Sequence, residues 1–349
     1  METFESLVRA EFAPKNTYLN TASTGLLPVR AVDAMRTAIA SVAAGRPADM
    51  FADVEAARAS FARLAGVPAA RVAAGASVAV YSGLIAAALP AGAEVLTAEA
   101  DFSSVVNPFH VRGDLKVRAV PLERLAESVR PGTALVAVSA AQSADGRVAD
   151  LPAIREAART HGARTYVDAS QAAGWLPLTA DAYDYVSSVA FKWLVCPRGV
   201  AFLVVPEDFG GLTALFAGWV AGQAPWDSCY GPVEELAHSA RRFDESPSLF
   251  SYAGARHSLE LLEQLGVERV RTHDLGLADR FRAGLRELGH EPVPAPGSPI
   301  VSVPGLGRLQ RELSEAGVEV SDRAGNLRAA FHLYNTPADV DRLLDALRP

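Results

Sequence analysis

The stretch TYVDASQAAG, residues 165–174, decides the fold class of this chain. An apolar run ends there in Asp168, and the helix-like stretch LPAIREAARTHG (151–162) lies just before it and closes on a glycine. Further strand-like stretches, rich in β-branched or apolar residues, lie at 93–99, 116–122, 133–140 and 199–205. Strands that alternate with amphipathic helices are typical of βαβ units. We therefore expect an α/β fold in which a mostly parallel mixed sheet is covered by helices.

A second region follows after about residue 205, where glycine, proline and tryptophan interrupt the pattern. Its predicted elements are helices at 254–266, 277–288 and 337–348 and strands at 298–304 and 326–334. We expect a large domain over residues 18–235 and a smaller α/β C-terminal domain over residues 236–349. The N-terminal segment 1–17 is expected to pack near the smaller domain.

Composition excludes several classes of function. The charged fraction is 21%, the apolar fraction 50% and the net charge −7, which argues against nucleic acid or an anionic membrane as a partner. No apolar stretch reaches the length of about 18 residues that a membrane span needs, and the N-terminus does not resemble a signal peptide. Two cysteines make neither a disulfide framework nor a metal site. We expect a cytoplasmic protein without a bound metal.

Lys192 stands out because lysine is scarce. The chain has three lysines among its 33 basic residues, and this one ends the strand-like stretch YDYVSSVAFK (183–192) in apolar surroundings. An amine can lose its proton in an apolar pocket and attack a carbonyl group, which a guanidinium cannot do. Asp168 lies one strand earlier, at the sheet edge where ligands bind in open α/β folds. Its carboxylate is either a helix cap or a fixed anion that faces a protonated ring nitrogen.

Three further features point to the same ligand. Ala76 and Ser77 begin a helix whose N–H groups can hold an anion, although Ser77 is also typical of a plain helix cap. Phe102 follows a strand and can stack on a planar ligand or pack as an ordinary loop aromatic. Arg328 can bind a carboxylate with two hydrogen bonds or form a surface ion pair. With a lysine and an aspartate, these features describe a site for pyridoxal 5′-phosphate (PLP).

Three motifs, in this order and spacing, resemble those of the class V aminotransferase family. They are VDASQAAG, similar to VDxxQ, FKWLVCPRG, similar to HKWLxxPxG, and LRAAFHLYNT, similar to RxSxxxYNT. The likeness extends from TYLNTASTGLLP (17–28) to FHLYNTPADVDRLLDAL (331–347). It implies a fold-type I PLP-dependent transferase fold, an amino-acid substrate, and a homodimer with the site near the subunit interface.

The resemblance implies roles for residues that match these motifs. Lys192 corresponds to the lysine that binds PLP covalently, and Asp168 corresponds to the partner of the ring nitrogen. Arg328 corresponds to the arginine that binds the substrate carboxylate, and Asn20 and Ala22 are implied as further substrate contacts.

Other implied roles concern the cofactor ring and its phosphate. Gln171 corresponds to the glutamine that approaches the ring hydroxyl, and Ser143, which we place among the catalytic residues, stands where desulfurases often have Asn. Phe102 corresponds to the ring-stacking residue, and Ala76 and Ser77 fall at the phosphate.

Two usual phosphate contacts are replaced, because Val189 stands for a polar residue and Phe191 for a histidine. We expect either that Ser188, its neighbour Ser187 or the partner chain compensates, or that the affinity for the cofactor is weaker. Ser246, in the stretch FDESPS (243–248), is the expected donor of a hydroxyl to the phosphate site of the partner.

The resemblance leaves several reactions open. The stretch before Arg328 lacks the cysteine of a desulfurase, and we interpret Cys196 and Cys229 as small buried hydrophobic residues. The aromatic residue Phe102 and the hydroxyl of Ser143 favour a C–S lyase that acts by β-elimination. The alternatives are an amino-acid epimerase or an aminotransferase of the same family, and, from another class, a PLP-fold binding protein without catalysis.

Overall fold

The computed structural model describes residues 3–46 and 49–348. The strands are β1 Thr17–Tyr18, β2 Val72–Gly75, β3 Glu94–Ala98, β4 Lys116–Val120, β5 Thr133–Ser139, β6 Arg164–Asp168, β7 Tyr185–Val189, β8 Ala201–Val204, β9 Ile300–Val303, β10 Val318–Glu319, β11 Ser321–Arg323 and β12 Asn326–Ala330. The helices are α1 Phe4–Glu11, α2 Val29–Ala43, α3 Met50–Ala65, α4 Val78–Ala88, α5 Ser103–Val111, α6 Leu151–His161, α7 Leu249–Leu265, α8 Val267–Glu287, α9 Gln310–Glu315 and α10 Pro337–Ala346.

A seven-stranded sheet forms the centre of the molecule, in the order β2-β8-β7-β6-β5-β3-β4. Strand β8 runs antiparallel to both of its neighbours, and the other pairs are parallel. Helices α4, α5 and α6 each connect one parallel strand to the next along the chain. The predicted α/β class with a mostly parallel mixed sheet is confirmed. Because β2 and β3 to β7 run the same way, their carboxyl ends meet at one edge of the sheet.

The core sits on both faces of this sheet. All four residues of β8 are buried, as expected for a strand that is covered on both sides. Trp175 and Trp193 are fully buried, and their rings meet edge to face with centroids 6.0 Å apart. Helix α7 packs against α2 and α3 over the same cluster of apolar side chains. The loops that follow the strands are therefore mounted on a rigid, close-packed base.

The C-terminal part of the chain has a smaller antiparallel sheet in the order β11-β12-β9. The short strand β1, near the N-terminus, pairs in parallel with β10. The backbone of Asn20 extends this contact with a bridge to Ala330. These contacts agree with the expectation that the N-terminal segment packs near the smaller domain. The boundaries of the two domains stay a prediction.

Two predicted elements have different ends because distant contacts decide them. The strand predicted over 326–334 ends at Ala330, and His332 then turns into the interior, where its ring is fully buried. The helix predicted over 277–288 begins at Val267. Only Gly266, with φ 81°, separates it from the preceding helix, so the two predicted helices are longer and nearly continuous.

Within the described ranges, no helix is long and apolar enough to cross a membrane.

Candidate active site

A cavity of about 390 Å³ opens at the sheet edge where the parallel strands end. Its walls come from the loops after β1, β2, β3, β5, β6 and β7, together with β11. The residues that line it are Ala22, Ser23, Ala76, Ser77, Val78, Phe102, Ser104, Ser143, Asp168, Ser170, Val189, Phe191, Lys192, Arg198 and Arg323. The fold thus brings most of the predicted site residues together from distant parts of the chain.

Lys192 lies in the turn after β7, which ends at Val189, earlier than the predicted strand. The side chain is buried and its Nζ lies 5.0 Å from the ring centroid of Phe102. Burial lowers the pKa of Lys192 to about 8, although the carboxylate of Asp168 acts in the opposite direction. An amine with this pKa is partly neutral near physiological pH, as a nucleophile or a base must be.

The backbone around Lys192 is held in an unusual conformation. The carbonyl oxygen of Phe191 accepts a hydrogen bond of 2.8 Å from the N–H of Gly25. A Cβ atom at Gly25 would come within 2.0 Å of the carbonyl oxygen of Lys192, so no larger residue fits there. Val195 has φ 48°, which is strained for a β-branched residue and is common at functional sites. These contacts fix the position of the lysine.

Asp168 ends β6 and faces the cavity. Its Oδ1 accepts hydrogen bonds from the N–H (3.0 Å) and the Oγ (2.6 Å) of Ser170. Within residues 3–46 and 49–348, no hydrogen-bond partner is found for its Oδ2. Burial raises the pKa of Asp168 to about 6, while Ser170 and Lys192 lower it. A buried carboxylate with one oxygen directed at a cavity fits a protonated pyridine nitrogen.

At the end of the cavity where the phosphate is expected, Ala76 and Ser77 bind other groups of the protein. Ser77 caps α4 and accepts a hydrogen bond of 3.2 Å from the N–H of Ala79. The N–H of Ala76, expected at the phosphate, instead donates to Oε2 of Glu245 at 3.2 Å. Burial raises the pKa of this carboxyl. Glu245 therefore occupies an anion position at the start of the helix.

The three serines that are expected near a phosphate do not line this cavity. Ser188 is fully buried, and its Oγ donates to the carbonyl oxygen of Val189 at 2.9 Å. The neighbouring Ser187 is also buried and its Oγ pairs with the hydroxyl of Tyr166 at 2.8 Å. Ser246 is exposed, next to Glu245. Consecutive side chains lie on opposite faces of a strand, and Ser187 and Ser188 are both buried because the core covers both faces of this sheet.

Gln171 lies behind the cavity wall, and both ends of its amide bind protein groups. Its Nε2 donates to the carbonyl oxygen of Ala22 and to the Oγ of Ser143, each at 2.9 Å. Its Oε1 accepts from the Nε1 of Trp193 at 2.8 Å. In this arrangement Gln171 joins three segments that meet at the cavity, and its contact with a ring hydroxyl stays a prediction.

Arg328 lies in β12, buried behind the cavity wall with 1% of its surface exposed. Its Nη2 donates to the Oγ of Ser23 at 2.7 Å, and its Nη1 donates to the carbonyl oxygen and the hydroxyl of Ser143. In the part of the chain that the structure describes, no carboxylate lies within 4.0 Å of it. Burial, with a smaller effect of Arg323, lowers the pKa of Arg328 to about 9. A buried cation without a counter-ion is costly, and a substrate carboxylate would relieve this cost.

Asn20 and Ala22 have different positions. Ala22 lines the cavity, and its contact with a substrate stays a prediction. Asn20 does not line it, and its Oδ1 is buried without a hydrogen-bond partner among the described residues.

Sequence reasoning missed three residues that position the site. The Nδ1 of His332 and the Oδ2 of Asp274 share a hydrogen bond of 2.8 Å, and the Nε2 of His332 donates one of 2.9 Å to the carbonyl oxygen of Trp193. Asp101 holds the loop of Phe102, because its carboxylate accepts hydrogen bonds from the N–H of Phe102 and from that of Ser139. His332 lies within the motif LRAAFHLYNT, and its apolar neighbours in the sequence indicate that its ring is buried.

The two cysteines differ. Cys196 is buried away from the cavity, and burial raises the pKa of its thiol well above the ordinary value. Cys229 is exposed, so its interpretation as a buried residue is wrong. It lies just after the single turn Pro225–Ser228 in an irregular segment that has little core to join. Among the described residues, no group of three or more His, Cys, Asp or Glu side chains is placed to hold a metal.

The fold and this cavity define a class V aminotransferase-type protein, and the family comparison agrees. The chain belongs to the family described as aminotransferase class-V, whose model matches residues 17–304. It is 27% identical to an uncharacterized aminotransferase, YcbU, of Bacillus subtilis over 72% of this chain and 71% of that protein. It is 32% identical to the isopenicillin N epimerase of Amycolatopsis lactamdurans over 65% of this chain, which spans 62% of the epimerase.

Solved structures share the fold. The cystine C-S lyase C-DES, in complex with its reaction product cysteine persulfide, superposes with a TM-score of 0.87 at 23% identity, over 96% of this chain and 98% of that one. A second structure of C-DES has glycine covalently linked to its PLP cofactor. The fold-type I architecture is confirmed, and the cofactor of this family member is PLP.

Proposed function

We propose that the protein is a PLP-dependent C–S lyase that acts on an S-substituted cysteine by β-elimination. The observation that supports it is the position of Lys192, the one amine among the described residues that line the cavity. Its depressed pKa suits a group that first removes a proton and then returns it. Arg328, which has no carboxylate partner within residues 3–46 and 49–348, lies directly behind Ser23 and Ser143 of the same cavity.

The residues that would hold PLP come from four loops. Lys192 would bind its aldehyde carbon, Asp168 its ring nitrogen, Phe102 one face of its ring, and Ala76 and Ser77 its phosphate. When bound, PLP withdraws electrons from the bonds at the substrate Cα. For the phosphate to reach the N–H of Ala76, the carboxylate of Glu245 must leave it.

The chain supplies the proton transfers. Lys192, as the neutral amine, removes the proton from Cα of the substrate, while Arg328 holds the substrate carboxylate. The electron pair of the Cα–H bond forms a Cα=Cβ double bond, and the Cβ–S bond breaks with its electrons on sulfur. The proton now on Nζ of Lys192 passes to this sulfur. Water then releases the remainder of the substrate as pyruvate and ammonia.

The described residues of the cavity wall favour elimination over other outcomes. A desulfurase needs a thiolate at the substrate, whereas Cys196 is buried elsewhere and Cys229 does not line the cavity. An epimerase that uses two bases needs a second proton donor opposite Lys192. The titratable side chains among the described lining residues are Asp168, Lys192, Arg198 and Arg323, and arginine stays protonated.

An amino-acid epimerase is the second candidate, because the sequence is 32% identical to an isopenicillin N epimerase over 65% of the chain. Such an enzyme could use Lys192 alone, returning the proton to the opposite face after a movement of the substrate. Return of the proton to the cofactor instead would make the protein an aminotransferase.

One experiment separates these outcomes. The purified, PLP-loaded protein is mixed in heavy water with S-substituted cysteines and their sulfoxides. Pyruvate and ammonia in equal amounts support the lyase, whereas deuterium at Cα of recovered amino acid without pyruvate supports an epimerase or aminotransferase. K192R should abolish either activity, and K116R, at an exposed lysine of β4, is the matched control. A protein that never takes up the colour of PLP would instead be a binding protein without catalysis.

We also propose that the protein is a homodimer and acts in the cytoplasm. Large apolar side chains are exposed at Leu215, Phe216, Trp226 and Tyr230, the last of them 94% exposed. Such patches usually mark an interface, and a second copy of the chain would cover this one. Sedimentation of the wild type as a monomer would contradict the dimer, and F216S should weaken it. Free thiols at Cys196 and Cys229 suit a reducing compartment.

A further inference from the structure

The mouth of the cavity carries two arginines that the proposed reaction does not use. Arg198 and Arg323 both line the cavity, and both are exposed at its rim. In a chain rich in ion pairs, neither of them has a carboxylate within 4.0 Å among the described residues. The site therefore presents positive charge beyond what one substrate carboxylate can neutralise.

Arg323 is tied to the buried arginine through one hydroxyl. The Oγ of Ser23 accepts a hydrogen bond of 2.9 Å from the Nη2 of Arg323 and one of 2.7 Å from the Nη2 of Arg328. The two guanidinium groups are thus separated by two hydrogen-bond lengths. Like charges at this separation repel each other, and the pKa of Arg328 is lowered in part for this reason.

Arg198 approaches from the loop that follows Lys192. Its guanidinium stacks 4.1 Å from the ring centroid of Phe191 and donates a hydrogen bond of 2.8 Å to the Oγ1 of Thr24. Stacking and this hydrogen bond restrict the side chain, so little entropy is lost when it binds a ligand. Both rim arginines lower the pKa of Lys192, as positive charges near an amine do.

We propose that Arg323 and Arg198 form a second anion site, which selects substrates whose side chain ends in an acidic group. This inference rests on the proposed function, in which Arg328 binds the α-carboxylate. With that arginine occupied, an extended side chain that leaves the cavity passes the rim, where the guanidinium groups of Arg198 and Arg323 lie without a carboxylate partner among the described residues. The substrate class is then S-substituted cysteines whose sulfur substituent carries a carboxylate or a sulfonate.

Two ligands of nearly equal shape test the charge alone. S-carboxymethylcysteine and S-carbamoylmethylcysteine differ by a carboxylate in place of a neutral amide. We expect kcat/KM for pyruvate release to favour the charged compound by at least about tenfold, since hydrogen bonds to charged groups are worth about one to two factors of ten. The preference should shrink as salt is added, because both arginines are exposed. A ratio near one in the wild type would overturn the inference.

Variants locate the preference. R323Q should reduce the ratio of the two kcat/KM values toward one, R198Q should reduce it in part, and R323K should keep more of it than R323Q. R311Q, at an arginine of α9 with a side chain that is 90% exposed, is the control and should leave the ratio unchanged. An R323Q protein with the wild-type ratio would overturn the inference. If R323Q and R198Q weaken the dimer without changing the ratio, the arginines serve an acidic partner surface and the inference is wrong.

A binding measurement separates this inference from the proposed reaction. K192A cannot remove the Cα proton, so calorimetric titration of this variant with the two compounds reports binding alone. A tenfold tighter binding of the charged compound supports the second anion site even if the wild type releases no pyruvate, in which case only the lyase proposal fails. Equal binding of both compounds refutes the site, whatever reaction the wild type catalyses.

Discussion

Replacement of Gly25 by alanine should lower the activity of the site although no catalytic side chain is changed. The new Cβ would lie 2.0 Å from the carbonyl oxygen of Lys192 and 3.3 Å from Cγ1 of Val195, where ordinary contact begins at 3.4 Å. Relief of this overlap needs a displacement on the order of 1 Å, and a misplacement of that size costs about 100-fold in rate. Overpacking of a dense core costs a further ~1–3 kcal/mol in the free energy of unfolding.

The control for this variant is Gly83→Ala. Gly83 lies within helix α4, whose first residue, Val78, lines the same cavity, but a Cβ at Gly83 meets nothing within 4 Å. Alanine in place of glycine inside a helix stabilises by about 0.5–1 kcal/mol, so G83A should unfold at a higher urea concentration and keep its activity. Turnover and urea midpoints are measured for both variants. A G25A protein with wild-type turnover and midpoint would refute the idea that this contact fixes the lysine.

Three further predictions concern ionisable groups. Cofactor uptake needs the neutral amine of Lys192, whose pKa is lowered to about 8, so the rate of uptake, followed by absorbance, should rise as the pH passes about 8. D168N removes a carboxylate that raises this pKa and should move the midpoint of the pH profile lower. A midpoint near the ordinary lysine pKa of about 10.4 in the wild type would contradict this prediction. A thiol reagent should modify only Cys229 in the native chain, since Cys196 is buried, and C229S should leave no reactive thiol until the protein unfolds. D274A should lose about 3–5 kcal/mol of stability in urea, because it removes the partner of a buried histidine; a loss under about 1 kcal/mol would show that the pair contributes little.

The strands and the two central residues could be predicted because their signals are local. Asp168 follows an apolar run, and Lys192 is a rare residue type in apolar surroundings. Both conclusions need only the neighbouring residues and the rule that parallel strands end at one edge. The contacts of Gln171 could not be predicted in this way, because its partners Ala22 and Trp193 come from other segments of the chain.

Other contacts could not be predicted because a local pattern leaves more than one arrangement open. The stretch that contains Ser246 and Glu245 is short and polar, and the sequence does not say which side chain turns toward the helix start at Ala76. The structure places the acid there. Similarly, the partner of His332 is Asp274, which lies 58 residues away, and no periodicity joins a strand end to a residue of α8.

The balance of charge explains why the site uses these residue types. One carboxylate, Asp168, faces the cavity, whereas Lys192, Arg198 and Arg323 line it and Arg328 lies behind its wall. Burial lowers the pKa of Arg328 and of Lys192, and the charge of Arg323 lowers both further. Arginine begins so high that Arg328 stays charged at neutral pH, while lysine reaches a value at which the amine can lose its proton. The arginines therefore have two effects: their charge attracts anions, and it lowers the pKa of Lys192. Anionic ligands that neutralise the arginines should raise this pKa again, so Lys192, which is partly neutral before its ligands arrive, gains basicity as they bind.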